Sequence, residues 1–595
     1  MFTTRPEILG TFGVVSSTHW IASAAGMAML EAGGNAFDAA VATGMTIQIC
    51  EPHLNGAGGD MPVLIHRADR NETMVVCGQG VAPAGATVEH YRGLGLDLVP
   101  GTGLLATVVP GTFDAWMLIL RDHGTMTLEE VFAPAIGYAI NGAPMVARVG
   151  QTIATVRELF ENEWPTSAAV YLPNGAPPAP GSLLGNPQLA KTWQRIIAEA
   201  NAAGGGREDR IEAARRAWAE GFVAEAVDGF CRNNAVMDVS GERHYGVLTG
   251  DDMAKWRATY EAPLSYDYGD FTVMKTGPWG QGPAMLQQLA LLEGYGISAM
   301  DPTGPDFVHL VVEAVKLAYA DREAFYGDPN FVDVPMETLL SKAYNDERRK
   351  LIDMDSASLG FHPGTVEGYG GAVDYDFHVR AAQANRGGAG IGEPTVGKQG
   401  LVAGDTCHID VIDRHGNMVA AMPSGGWLQS SPIIPELGLC LNSRAQMFWL
   451  EEDRPATLNP GKRPRTTLSP SMALRDGRPY MAFGTPGGDQ QDQWQGSFFL
   501  RHAHFGMNLQ EAIDAPSWHS EHFPSSFYPR GAQPGKLVVE GRFPQSTIDE
   551  LRRRGHRVDV GEDWSEGRLC AAAQLDGMLK AAANPRGMQG YAVGR

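Results

Sequence analysis

The sequence predicts a layered α+β fold, and three observations carry that reading. Helical segments crowd the first 325 residues, short β-type runs follow between residues 406 and 484, and helical segments return towards the C-terminus. Blocks of helix, strand and helix mark a layered α+β protein, whereas strict β–α alternation would mark a doubly wound parallel sheet. Hydrophobic residues make up 44% of the 595 and charged residues 19%, which is ample for a large core.

Taken in order, STHWIASAAGMAMLEAGGNAFDAAVATGMTIQICEP predicts two Ala-rich, deeply buried helices separated by GGN, the glycines serving as a helix C-terminus. Further helices are expected in TFDAWMLILRDHG, PQLAKTWQRIIAEANAAGG, AMLQQLALLEGYG and DFVHLVVEAVKLAYADREAFYG. The last repeats apolar residues at Phe307, Leu310, Val311, Ala314, Leu317 and Ala318, the helical period. From about 356 to 405 the chain is Gly-rich, polar and weakly periodic, and reads as a mobile surface segment. Strands are expected in CHIDVID, NMVAAMP, LGLCLNS and TTLSPSMALRDGRPYMAFGT, and closing helices in SFFLRHAHFGMNLQEAIDAP and PQSTIDELRRRG.

Composition excludes several classes. A formal charge of −21 argues against nucleic acid, whose phosphates need basic patches. No apolar run reaches the length of a membrane span, and the N-terminus lacks a basic head followed by a long apolar stretch. Six cysteines without CxxC spacing read as reduced, mostly buried thiols, so a cytoplasmic protein is expected.

The stretch GLVAGDTCHIDVIDRHGNMVAAMPSGG poses the functional question, because a strand-like run starts abruptly on Thr406 after a loop-like one. If the chain were cut there, the new α-amine would lie beside the threonine hydroxyl, one way of activating a nucleophile. RHGN predicts a tight hairpin with a two-residue turn at His415 and Gly416. Arg414 would then pair with Asn417, and Thr406 would lie opposite Gly425 with Ser424 alongside. On the local sequence alone an ordinary strand threonine is the favoured explanation of Thr406.

Motifs along nearly the whole chain change that balance. EAGGNAFDAAVA, VVPGTFDAW, HLVVEAVKLAYADREAFYGDPNFVDVP, GDTCHIDVIDRHGN, PGKRPRTTLSPSMAL, FGTPGGDQQDQ and NLQEAIDAPSWH occur in an order that resembles the γ-glutamyltransferase family of N-terminal-nucleophile hydrolases. The resemblance implies a four-layer αββα sandwich made as a precursor that cuts itself between Asp405 and Thr406. The fragments would be residues 1–405 and 406–595, together forming one αββα domain. It implies Thr406 Oγ as nucleophile and its freed amine as base, an amine whose ordinary pKa of about 7.7–8.0 suits proton transfer at neutral pH. It further implies Ser424 as the hydroxyl partner, Gly487 and Gly488 as oxyanion donors, and Thr466 and Thr467 near the substrate carboxylate. No metal or organic cofactor is implied. Partners are a small amide substrate and the two subunits of one precursor, with further homo-oligomerisation left open.

Three positions depart from the family's glutamate contacts. Val88 follows APAGAT where an arginine clamps the α-carboxylate, Gly426 replaces an asparagine, and Met447 stands where an acidic residue holds the α-amine. Losing partners for a charged amino acid works against strict γ-glutamyl specificity. Arg444, close to the missing acid, is a candidate carboxylate partner or equally a structural ion pair. The expected activity is hydrolysis of a small acyl amide of the oxamate or glutaryl/cephalosporin acylase type, through a Thr406 ester. A γ-glutamyl hydrolase or transpeptidase, and a non-catalytic protein that retains the fold, are the alternatives. Cys407 as nucleophile would require cleavage one residue later. His502, His504, His519 and His522 lack zinc-ligand spacing, and GPWGQGP (277–283) reads as a structural turn rather than an anion loop.

Overall fold

A computed structural model describes residues 2–384 and 406–595. Two seven-stranded sheets stack face to face, and helices cover both outer surfaces. In one sheet the neighbours run Tyr591–Gly594, Gly13–Ser17, Ile409–Asp413, Met418–Ala421, Met61–Arg67, Glu72–Gly78 and Thr259–Glu261. In the other they run Ile8–Gly10, Met578–Ala583, Cys570–Leu575, Arg478–Gly484, Ser471–Arg475, Phe271–Lys275 and Leu264–Tyr268. All pairings within both sheets are antiparallel.

Strand alternation builds three apolar layers from this arrangement. Val14, Leu64, Ile412, Met418 and Ala420 point between the sheets and meet Met472, Ala482, Cys570, Ala572 and Ala581. Their neighbours Val15, Ile65, Val411 and Val419 point outwards, under the helices Trp20–Glu31, Ala36–Cys50 and Thr112–His123. On the far side Val273, Ala473, Met481 and Phe483 lie under Pro283–Leu292, Pro305–Phe325 and Gln491–Phe505. This is the αββα order. No helix among the described residues is long and apolar enough to cross a membrane.

The expected helices form, with GGN separating the first two. Gly33 takes φ +99° after the first, and Asn35 caps the second in a box with Asp38. Four expectations need correction. The hairpin pairs Ile409 with Ala421 and Ile412 with Met418, one residue out of the predicted register. Its loop has three residues, Arg414 to Gly416, closed by Asp413 N–H to Asn417 O at 3.2 Å, with Gly416 at φ +86°. That is the longer hairpin turn, which needs a left-handed residue in third place. Secondly, the ladder proper begins at Ile409, and Thr406 makes a single bridge to Ser424. Thirdly, LGLCLNS forms isolated bridges, Ile434 to Leu439 and Gly58 to Leu441, instead of a ladder strand. Fourthly, the segment expected to be mobile contains the helix Tyr375–Ala384, tied down where Ala532 N–H donates to His378 O at 3.0 Å. Residues 385–405, with Asp405, lie outside the described residues.

Candidate active site

Thr406 is fully buried, and its Oγ lies 3.1 Å from Ser424 Oγ. The hairpin that returns Ser424 to it is locked against residues 56–60. Asp60 and Ser424 exchange backbone bonds of 2.8 and 3.0 Å, and Gly56 N–H donates to Gly425 O at 2.8 Å. A Cβ at Gly59 would stand 2.0 Å from Ser424 O, and one at Gly56 would stand 2.2 Å from Gly426 O. The NGAGGD stretch therefore uses glycine to let two backbones touch. Gly425 and Gly426 take φ +74° and +64°, so this turn itself favours glycine at the Gly426 position.

Neighbouring residues face away from the Thr406 hydroxyl. The Cys407 thiol donates to Glu51 at 3.1 Å and accepts from Asn55 at 3.0 Å. Burial and the adjacent Glu51 push it well above the usual thiol range, so it is a poor nucleophile. His408 pairs with Asp410 at 2.8 Å, and burial raises the Asp410 carboxyl to about 6 against the pull of that histidine.

The Gly487–Gly488 turn links Arg478–Gly484 to Gln491–Phe505. Its carbonyls are anchored: Pro486 O by Thr485 Oγ at 2.8 Å, Gly487 O by Gln490 N–H at 2.9 Å, and Gly488 O by Gln281 Nε2 at 3.0 Å. In a trans peptide the N–H points opposite to the C=O, so these bonds aim the Gly487 and Gly488 N–H groups the other way. Gly487 has φ +137°, and a Cβ there would stand 2.3 Å from the Trp494 ring. Asp489 supports the turn from behind, paired with Arg322 and bonded to Ser526 N–H at 2.8 Å and Ser526 Oγ at 2.7 Å.

The Thr466–Thr467 segment ties these pieces together. Thr466 bridges Gly280, and Gln281 N–H donates to Thr466 O at 2.9 Å. Two residues on, Ser469 N–H reaches Met422 Sδ and Gln491 Oε1, both at 3.1 Å. Thr467 Oγ is buried and has no hydrogen-bond partner among the described residues.

Arg444 is buried and donates from Nε to Asp60 Oδ1 at 2.8 Å, with its guanidinium 4.9 Å from the Trp427 ring centroid. Burial raises the Asp60 carboxyl above the usual carboxylate range, and the always-charged Arg444 guanidinium beside it opposes that shift. Met447 ends a buried 3₁₀ turn, Arg444–Met447. Val88 begins a short helix and packs against a cluster containing Ala445 and Phe448.

The four histidines disperse. His502 bonds Tyr480, His504 bonds Tyr268, His519 lies between Glu566 and Glu521, and His522 contacts Gly360. His309, Glu313 and His556 do meet, but the histidines bond each other at 2.8 Å and Lys316 holds Glu313 at 2.6 Å. Sequence reasoning missed Asp60, Gln281, Arg322 and Asp489. Asp489 and Arg322 carried a signal, lying in the motifs FGTPGGDQQDQ and HLVVEAVKLAYADREAFYGDPNFVDVP, and Gln281 lay in GPWGQGP; Asp60 carried none. GPWGQGP is a turn, as expected, and through Gln281 it also holds the Gly488 carbonyl.

The layered fold is that of the N-terminal-nucleophile hydrolases. Within that class the chain belongs to the gamma-glutamyltranspeptidase family, whose family model matches residues 22–594, and it is an enzyme. It is 31% identical to a glutathione hydrolase-like YwrD proenzyme of Bacillus subtilis (strain 168), over 99% of each chain. It is 30% identical to an acylase ACY 1 proenzyme of Pseudomonas sp. (strain SE83), over 96% of this chain and 92% of that one. The solved structure of LmbA2991HD superposes with a TM-score of 0.93 at 57% identity, covering all of both chains.

Proposed function

We propose that the chain is a self-processing amidohydrolase that uses Thr406 as its nucleophile and is not strictly specific for γ-glutamyl groups. The observation that carries the reading is the buried Thr406 Oγ, 3.1 Å from Ser424 Oγ, joined through the Thr466–Ser469 segment to the Gly487–Gly488 turn. Relatives described as proenzymes support processing, and cleavage between Asp405 and Thr406 would leave subunits 1–405 and 406–595.

Thr406 Oγ attacks the amide carbonyl carbon while its proton passes to the freed α-amine. The tetrahedral oxyanion is met by the Gly487 and Gly488 N–H groups, and Ser424 holds the attacking oxygen. The C–N bond breaks, the leaving amine takes the proton, and an acyl–Thr406 ester remains. Water, deprotonated by the same α-amine, attacks that ester and returns the hydroxyl. Thr466 and Thr467 contact the acyl group's polar end.

Altered specificity is supported by Val88 and Met447, apolar side chains packed in the positions named above, and by the tight Gly426 turn. The relative described as glutathione hydrolase-like favours γ-glutamyl amides as the second reading. The test compares kcat/KM for γ-glutamyl p-nitroanilide with that for succinyl and glutaryl p-nitroanilides. Our reading predicts the γ-glutamyl compound to be the poorest of the three. Efficient, saturable γ-glutamyl turnover with competitive inhibition by glutamate would favour the second reading.

A further inference from the structure

Arg444 pairs with Asp60, yet another cationic centre adjoins the same site. Arg465 immediately precedes Thr466, and Asp489 immediately follows Gly488. Arg322 and Glu323 come from the Pro305–Phe325 helix. Arg530 donates through Nη2 to the carbonyls of Gln446, at 2.7 Å, and Phe448, at 2.8 Å, at the end of the Arg444–Met447 turn. Arg465 Nη2 lies 3.1 Å from both Ser526 Oγ and Glu323 Oε2, while Arg322 and Ser526 hold Asp489. All of these side chains are buried.

Among the described residues, charge does not balance in this cluster. Arg322, Arg465 and Arg530 bring three positive charges, and Glu323 and Asp489 bring two negative ones. Arg454, beside Arg530 over the Trp449 ring, spends its own charge on Glu451. Donors are left over as well. Arg465 Nε and Nη1 and Arg530 Nη1 are buried without a hydrogen-bond partner among the described residues. Burial pulls both guanidinium groups down, Arg530 to about 9, against the attraction of Glu323. A buried excess cation with unused N–H groups is costly unless an anion completes it. One negative charge suffices, and the planar guanidinium fork matches a carboxylate.

We propose that Arg465 and Arg530 receive a carboxylate on the substrate's acyl group, so that the preferred substrates are mono-amides of small dicarboxylic acids. This rests on the Thr406 reading. It moves the carboxylate site from Arg444 to two residues that flank the Thr466–Thr467 segment and the Arg444–Met447 turn.

The test uses the processed protein with Arg465→Met, Arg530→Met and Glu323→Gln. Substrates are succinyl and glutaryl p-nitroanilide, with butyryl p-nitroanilide as the neutral match. Each arginine variant is expected to lose roughly thirtyfold or more in kcat/KM on the carboxylate anilides, and less than about threefold on the butyryl one. Glu323→Gln removes the competing anion, so it is expected to strengthen glutarate binding. A binding readout that needs no turnover accompanies this: glutarate should raise the melting temperature of the unsubstituted protein and leave the arginine variants unmoved. Equal losses on charged and neutral anilides, or glutarate stabilisation undiminished in both arginine variants, would overturn the assignment. Should Arg465→Met fail to fold, Arg530→Met and Glu323→Gln decide. If no anilide is hydrolysed at all, the Thr406 reading fails, and the glutarate shift still judges the anion site separately.

Discussion

Gly487 and Arg444 show how single residues constrain the site in opposite ways. At Gly487 the backbone is left-handed and an indole ring occupies the space where a Cβ would go. Gly487→Ala therefore displaces the proposed oxyanion donor, and kcat is expected to fall roughly a hundredfold or more, as for loss of one such donor elsewhere. Steady-state kinetics on the processed variant checks this; near-normal kcat would remove Gly487 from the oxyanion role. Arg444 is constrained by charge. Truncating it strands Asp60 in the core, so Arg444→Ala is expected to cost about 3–5 kcal/mol of stability. The double replacement Arg444→Met with Asp60→Asn should cost much less. Urea denaturation of both variants measures the difference, and equal costs would contradict a buried ion pair.

Among the elements, the strand Trp518–Ser520 carries the clearest pH dependence. Burial works against a charge on His519, but Glu566 and Glu521 outweigh it and raise the imidazole from 6.5 to about 10. A pKa raised on folding means that the contribution is full below pH 6.5 and disappears as pH climbs through 10. Urea midpoints are expected to decline across that window, and His519→Gln should flatten the decline. Because the Trp494 ring that covers Gly487 also lies edge-on to His519, a disturbance of the site is expected only near pH 10, where the folded imidazole loses its proton.

Elements also show what could be read from the chain. The Pro305–Phe325 helix was legible from spacing because its apolar face repeats without interruption. The hairpin was legible as a hairpin and misregistered by one residue, since nothing in RHGN distinguishes a two-residue turn from a three-residue one with Gly416 left-handed. LGLCLNS has strand composition, but one of its bridges is a local turn, Ile434 to Leu439, and the other depends on Gly58, hundreds of residues away. The site divides similarly. Thr406, Ser424, Gly487 and Gly488 became candidates through whole-chain resemblance. Gln281, Arg322 and Asp60 did not, because each owes its place to a partner distant in sequence.

At the scale of the molecule, residues 406–595 do not form a separable body. Ile409–Asp413 lies between Gly13–Ser17 and Met418–Ala421, and Met418–Ala421 pairs in turn with Met61–Arg67. The opposite sheet places Phe271–Lys275 against Ser471–Arg475 and Ile8–Gly10 against Met578–Ala583. Cleavage before Thr406 would leave every one of these ladders intact, so two fragments should co-elute under native conditions and part only on denaturation. Native size exclusion followed by a denaturing gel tests this, and fragments that separate without denaturant would contradict it.

The central claim is that Thr406 makes the cut that exposes it. The most direct measurement is N-terminal sequencing of the smaller fragment, with Thr406→Ala run beside it on a denaturing gel. The account predicts a fragment beginning Thr-Cys-His in the unsubstituted protein and one full-length band of 595 residues in the variant. A smaller fragment that persists in Thr406→Ala, or one that begins at another residue, would contradict it.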